Sequence, residues 1–281
     1  MARFLFLLFA LAACAREAPP ALDPVSFTLR WRVEGLANPE SAALSREGSF
    51  LFVTNVNGEG GAKDGNGFIS RISTDGQLLQ REFARGLDAP KGIARGGDAL
   101  YVADIDRMVV VDAATGAIRR GVAIPGARFL NDLALAPDGG VLIADSGAGR
   151  IYAIRGDAPT VWLEHELLDS VNGLLPEPDR LIVTTMAGRL LSIDYATRAT
   201  TVLGEGLGDA DGVAAIGEGR YLVSEWPGLM HVVAADGTHE TLLDTRAEKL
   251  YLNDFLLAGG VLYQPHWEPG AFSAYDVAGV R

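Results

Sequence analysis

Leu130-Asn131-Asp132-Leu133, Val171-Asn172-Gly173-Leu174 and Leu252-Asn253-Asp254-Phe255 share one shape, a polar residue followed by a small or acidic one and then an apolar run. Working outward, the same shape recurs at Pro39-Glu40-Ser41-Ala42, Pro90-Lys91-Gly92-Ile93 and Ala210-Asp211-Gly212-Val213. The polar members are Glu40, Lys91, Asn131, Asn172, Asp211 and Asn253, separated by 51, 40, 41, 39 and 42 residues. A period near 40 residues, with only strand-like runs between turns, predicts a β-propeller with one four-stranded blade per repeat.

Each repeat continues through the same elements. A second apolar run follows at 50–54, 99–103, 141–144, 180–184, 221–224 and 261–264, and a third at 68–72, 108–112, 150–154, 189–193, 229–233 and 271–275. These runs are short, rich in Val, Ile, Leu and Tyr, and bounded by Gly, Asp and Asn, as strands are. A fourth run closes each of the first five repeats, for example at 78–83 and 160–163. The sixth repeat reaches Arg281 with no room for one, whereas residues 25–33 precede the first motif. They lead into Gly35-Leu36-Ala37-Asn38-Pro39, an echo of Gly86-Leu87-Asp88-Ala89-Pro90. The N-terminal strand is therefore expected to complete the last blade and close the ring, removing exposed sheet edges. The expected fold class is all-β, a six-bladed β-propeller over residues 25–281; no long segment keeps a helical period free of Gly or Pro.

Composition narrows the function. With 36 acidic against 24 basic side chains the formal charge is −12, which argues against nucleic acid as a partner because phosphate binding needs basic counter-charge. One cysteine forbids an intrachain disulfide and a cysteine-based zinc site. That cysteine follows Met1-Ala2-Arg3, an apolar run from Phe4 to Ala13, and the small residues of Leu11-Ala12-Ala13-Cys14. The run is too short to span a bilayer and resembles a bacterial lipoprotein signal, in which residues 1–13 are cleaved and Cys14 is lipidated. Residues 14–24 then form a short tether, and the expected location is the bacterial cell envelope, attached through the N-terminal lipid alone. Ala15, rather than Asp, after the cysteine points to the periplasmic side of the outer membrane.

In a propeller the first strand of each blade lines the central channel, so the six polar members form a ring facing the axis. Two carboxylates (Glu40, Asp211) and three amides (Asn131, Asn172, Asn253) make a hard-oxygen site of the kind Ca2+ prefers, and no His or Cys joins them to favour zinc or copper. A second ring is expected thirteen to fifteen residues further on, at Asn55, Asp104, Asp145, Thr185, Glu225 and His266. One strand down and one back should return these to the same mouth. Asn55, Asp104 and Glu225 are then candidate substrate contacts together with Lys91, and Asp145 and His266 are candidate bases. For His266 the alternative is a histidine satisfied at a blade end beside Trp267.

The order of a first-blade Glu, then Asn131-Asp132, Asn172-Gly173-Leu174 and Asp211-Gly212, resembles the senescence-marker-protein/gluconolactonase (regucalcin-like) family over nearly all of residues 25–281. The resemblance implies a divalent cation, usually calcium, on Glu40, Asn172 and Asp211, with Asn131 contacting a small-molecule substrate. It implies a calcium-dependent hydrolase of lactones or related small esters, with Asp211 as the family-derived base. The competing class is a non-catalytic propeller binding a small acidic or sugar ligand or an envelope partner. Two departures stand out. Lys91 sits in the ring, where it either rises toward solvent or bridges Glu40 and Asp211 in place of a metal. Residues 57–66 are an insertion over the same mouth, either a lid or a surface loop. Gly204-Glu205-Gly206-Leu207-Gly208 reads as a blade turn rather than a nucleotide fingerprint, since no helix follows it. His165, His231 and His239 read as surface or packing residues, and Trp31, Trp162, Trp226 and Trp267 as inter-blade packing, with Trp226 and Trp267 the two nearest the expected site.

Overall fold

The computed structural model describes residues 24–234 and 236–280; the leader, Cys14 and the tether as far as residue 23 lie outside the described residues. The chain forms six four-stranded antiparallel sheets, five built from consecutive strands and one in which Ser26–Val33 adds to Ala271–Ala278. That closing pair runs from Ser26 opposite Ala278 to Val33 opposite Phe272, so the ring is sealed by the N-terminal strand as the echoed turn predicted. The inner strands are Pro39–Leu44, Pro90–Gly96, Leu130–Leu135, Val171–Pro176 and Asp209–Gly217, with Leu252 and Leu256–Ala258 serving the sixth blade. The sole helical element among the described residues is a three-residue turn, Glu166–Leu168, capped by His165.

Six apolar cores hold the ring together, one between each pair of neighbouring blades, because each flat sheet can bury its two faces only against its neighbours. Phe52 and Ile69 meet Leu100 and Val102 between blades one and two, and Ile182 and Leu190 meet Tyr221 and Val223 between blades four and five. Val33 and Phe272 meet Leu51 and Val53 where the ring closes. Trp31 stacks on Phe272 at 6.1 Å in that seam and donates its indole N–H to the Thr74 carbonyl at 3.0 Å. Trp162 packs edge-on to Tyr195 between blades three and four. Both are packing residues, as expected.

One local feature repeats in every blade and positions the site. Pro39 pairs with Asn55 but Ala42 with Val53, so Glu40 and Ser41 together face Thr54 alone. The same two-against-one bulge falls at Lys91-Gly92, Asn131-Asp132, Asn172-Gly173 and Asp211-Gly212, and the sixth blade carries one extra residue at the same place, where residues 253–255 face Gln264 and Pro265 between the Leu252–His266 and Leu256–Tyr263 pairs. A bulge bends its strand and frees two successive residues from the ladder, which turns each polar member toward the axis. Hydroxyls on the opposing strand take up the released N–H groups: Thr54 accepts from Ser41, Thr184 from Gly173 at 2.8 Å and Ser224 from Gly212 at 2.8 Å. Gly173 leaves no room for a side chain, because a Cβ there would lie 2.3 Å from the Asp211 carbonyl oxygen.

Candidate functional site

Above the bulges a cavity of about 360 Å³ opens on the axis, and all six polar members of the ring line it. Each is buried, from 3% exposed at Asn172 to 7% at Asp211. Four of their oxygens, Glu40 Oε2, Asn131 Oδ1, Asn172 Oδ1 and Asp211 Oδ1, are sealed from solvent and have no hydrogen-bond partner. Buried acceptors are almost always paired, so four orphans on residues that line one cavity mark a place for a hydrogen-bond donor or a cation. Asn131 is oriented by its amide, which donates to Ser146 Oγ at 3.3 Å and leaves the oxygen free. Asn253 differs: its amide donates to the Pro39 carbonyl at 3.1 Å and ties the sixth blade to the first.

The residues after the ring members add a lower tier of charge. Asp132 accepts from Leu133 N and, across the blade seam, from Leu174 N at 2.7 Å. Asp254 accepts from Ser41 Oγ at 2.5 Å. Burial, then the neighbouring Asp211 and Asp254, hold Glu40 well above the usual carboxylate range, with Lys91 pulling the other way. Burial and Asp254 likewise raise Asp211, opposed by a hydrogen bond from Asn172, and raise Asp132, opposed by the Leu174 and Leu133 N–H groups. Asp254 is pushed up to about 6 by burial, against the Ser41 hydrogen bond. Ionising this group of acids together needs more positive charge than one ammonium provides, and a divalent cation fits that need. Among the described residues no three His, Cys, Asp or Glu side chains gather into a group that could hold a metal ion, so a cation on the axis would need the amide oxygens as well as the carboxylates.

Lys91 does not bridge the ring. Its ammonium rises away from the axis, donating to the Gly60 carbonyl at 2.7 Å and to Ala89 O at 3.2 Å, with the Phe129 ring centroid 4.2 Å away. Burial lowers its pKa, opposed by the fields of Glu40 and Asp104. Gly60 belongs to the 57–66 insertion, which is docked over the mouth: Gly60 lines the cavity, Lys63 pairs with Asp106, and Gly65 N donates to Asp88 Oδ1 at 3.1 Å.

None of the residues of the expected second ring is among the residues that line the cavity. Asn55 accepts from Ala37 N at 3.0 Å, and Asp104 accepts from Asp88 N and Ala89 N and pairs with Arg107 at 2.8 Å. Asp145 accepts from Arg128 N and Phe129 N, Thr185 from Arg189 N, and Glu225 pairs with His231 at 2.7 Å. His266 is fully buried against Ser273 Oγ at 2.9 Å, and burial pulls its pKa down to about 3. The structure therefore places Asn55, Asp104, Asp145, Glu225 and His266 inside the blades, where the first three brace the turns that enter the inner strands. His231 and His239 pack edge-on to each other, and the glycines at 204–208 form the turn into the fifth inner strand.

The walls come instead from the next residue along. Met186, Trp226 and Trp267 line the cavity, each directly following a member of the expected ring. Phe129 and Asp209 line it too, each two residues before an axial residue, Asp209 within the fifth inner strand and Phe129 just ahead of the third. Asp209 pairs in register with Trp226, confirming a shared face. Trp226 meets Trp267 edge-on at 6.2 Å and Tyr251 at 5.3 Å, and Trp267 also packs on Val56, Ala89 and Ile105, so the pair packs between blades as expected while also lining the cavity.

No family model and no curated relative matches the chain. By fold it is similar to virginiamycin B lyase from Staphylococcus aureus, with a TM-score of 0.64 and 14% identity over 89% of this chain and 99% of that one. It is also similar to a catalytically inactive histidine-to-alanine variant of the same enzyme with quinupristin, with a TM-score of 0.61 and 13% identity over 89% of this chain and 99% of that one. A streptogramin B lyase matches with a TM-score of 0.63 and 12% identity over 88% of this chain and 98% of that one. At these identities the likeness establishes the propeller fold.

Proposed function

We propose that this protein is a divalent-cation-dependent hydrolase of lactones or related small esters, with Ca2+ the preferred ion. The observation that carries the proposal is the set of unpartnered, sealed oxygens on Glu40, Asn131, Asn172 and Asp211 beneath one cavity. They include all three cation ligands that the gluconolactonase-like resemblance implies. Glu40, Asn172 and Asp211 would hold the ion, with Asn131 and Asn253 beside them. When bound, such an ion polarises an ester carbonyl and stabilises the charge developing on its oxygen.

The chain's own groups supply the rest. Asn131, fixed by Ser146, orients the substrate. Besides Glu40, the carboxylates lining the cavity are Asp209 and Asp211, and either takes the proton of the attacking water. Water adds to the carbonyl carbon, the ring C–O bond breaks, and the proton passes to the departing alkoxide. Asp145 and His266 are buried in hydrogen bonds elsewhere and have no part in this scheme. No histidine is among the cavity-lining residues, which argues against a histidine-dependent lyase reaction like that of the fold's neighbours.

The test is hydrolysis of a lactone panel by purified protein with calcium or with chelator. Turnover that chelator abolishes and calcium restores is expected; turnover indifferent to both sinks the metallohydrolase reading. A binding propeller without catalysis is the second reading, favoured by the absence of Asp145 and His266 from the described cavity lining, and it predicts a calcium-raised melting temperature with no turnover. The lipobox proposes attachment to the envelope through Cys14. Cys14→Ser should then move the protein from the membrane to the soluble fraction.

A further inference from the structure

The walls above the axial ring bear on the substrate, and the argument rests on the hydrolase reading just given. Phe129, Met186, Trp226 and Trp267 supply the walls, and the Trp pair is held edge-on at 6.2 Å with Tyr251 behind it. Beyond the six axial residues, Asp209 is the one polar side chain among the described residues that line the cavity. The Lys91 ammonium is already satisfied by Gly60 O, Ala89 O and the Phe129 face. Asp209 places a carboxyl group at the wall.

A sugar lactone presents a hydroxyl on nearly every carbon, and each one buried without a partner costs roughly ten- to a hundredfold in affinity. This cavity offers little to pair them. A sugar acid or other anion would also face Asp209 in addition to Glu40 and Asp211. At about 360 Å³ the space suits a small ligand with a single ring and a short apolar substituent. We infer that the substrate is a neutral lactone or small ester whose non-reacting part is apolar or aromatic, seated on Trp226, Trp267, Phe129 and Met186, and not a polyhydroxylated sugar lactone.

The experiment compares, with calcium present, γ- and δ-lactones carrying methyl, butyl, hexyl and phenyl substituents with glucono-δ-lactone. The inference expects kcat/KM to rise at least tenfold from methyl to the best apolar member, with glucono-δ-lactone at the bottom. Trp267→Ala should raise KM for the phenyl and hexyl members about tenfold more than for the methyl one. Met186→Ser should do so in a milder form should the tryptophan variant fold poorly. Preference for glucono-δ-lactone, or a flat series that neither variant changes, overturns the inference while leaving a lactonase in place. Should no lactone turn over, the hydrolase reading falls by itself. Quenching of tryptophan fluorescence by the matching phenyl-substituted lactam then decides the ligand class: saturable quenching, absent with gluconolactam, upholds it, and none for either overturns it.

Discussion

The Lys91 ammonium lies 2.7 Å from the carbonyl oxygen of Gly60, a contact that lifts the ring's cation away from its carboxylates and onto the loop over the mouth. Two properties are linked by it, because the lysine that draws the Glu40 pKa back down against burial also anchors the insertion. Lys91→Met should tighten calcium binding at least about threefold by removing a like charge. It should also speed proteolysis within residues 57–66. Calorimetric titration and limited proteolysis read the two effects, and unchanged affinity would show that the ammonium stands too far from the ion to matter.

Gly173 is small because the Asp211 carbonyl and Thr184 Oγ1 occupy the space of a Cβ, at 2.3 and 2.7 Å. Gly173→Ala is expected to cost about 2 kcal/mol or more in urea denaturation and to weaken the cation site, since it pushes on the strand that carries Asp211. Gly61→Ala, where nothing lies within 4 Å of an added Cβ, is the matched control and should stay within about 0.5 kcal/mol of the parent.

Asp132 couples the third bulge to the fourth through Leu174 N. Asp132→Ala leaves buried N–H groups unpaired and should destabilise the protein by about 1–3 kcal/mol, while Asp132→Asn keeps an acceptor and should recover much of that. Because Leu174 lies two residues past Asn172, calcium affinity should fall in the same order. Equal affinity in both variants would mean that this contact holds the fold without shaping the ring.

His266 gives a pH signature distinct from the acids. Its folded-state pKa, lowered to about 3 by burial, lies below that of an unfolded histidine near 6.5. The unfolded chain therefore binds the extra proton between those values. The stability contributed by neutral His266 is complete above about pH 6.5 and is lost as pH falls toward 3, with a slope of up to about 1.4 kcal/mol per pH unit. The stability difference between wild type and His266→Gln should shrink across that window. A difference independent of pH would show that His266 is not held neutral.

The period, the six blades, the closing strand and the axial ring were all legible in the chain, because a repeated bulge leaves a repeated polar-small signature. The cavity walls were not. Counting one strand down and one back landed on Asn55, Asp104, Asp145, Thr185, Glu225 and His266, which pair with the residues just before each bulge and so turn into the blades. Side chains alternate along a strand, so an error of one residue exchanges wall for interior. Stepping to Met186, Trp226 and Trp267, or back two from Asn131 and Asp211 to Phe129 and Asp209, would have found the site. What remained hidden was the direction of Lys91, because whether an ammonium bridges two acids or reaches a loop carbonyl depends on contacts between blades.

The central claim is that the unpartnered oxygens of Glu40, Asn131, Asn172 and Asp211 hold a divalent cation. Calcium titrated into chelator-treated protein, followed by calorimetry and by melting temperature, tests it most directly. The prediction is a single saturable site that raises the melting temperature in wild type and is lost in Glu40→Gln and Asp211→Asn variants that still melt cooperatively. No heat and no shift in the wild type, or an undiminished response in both variants, would contradict it.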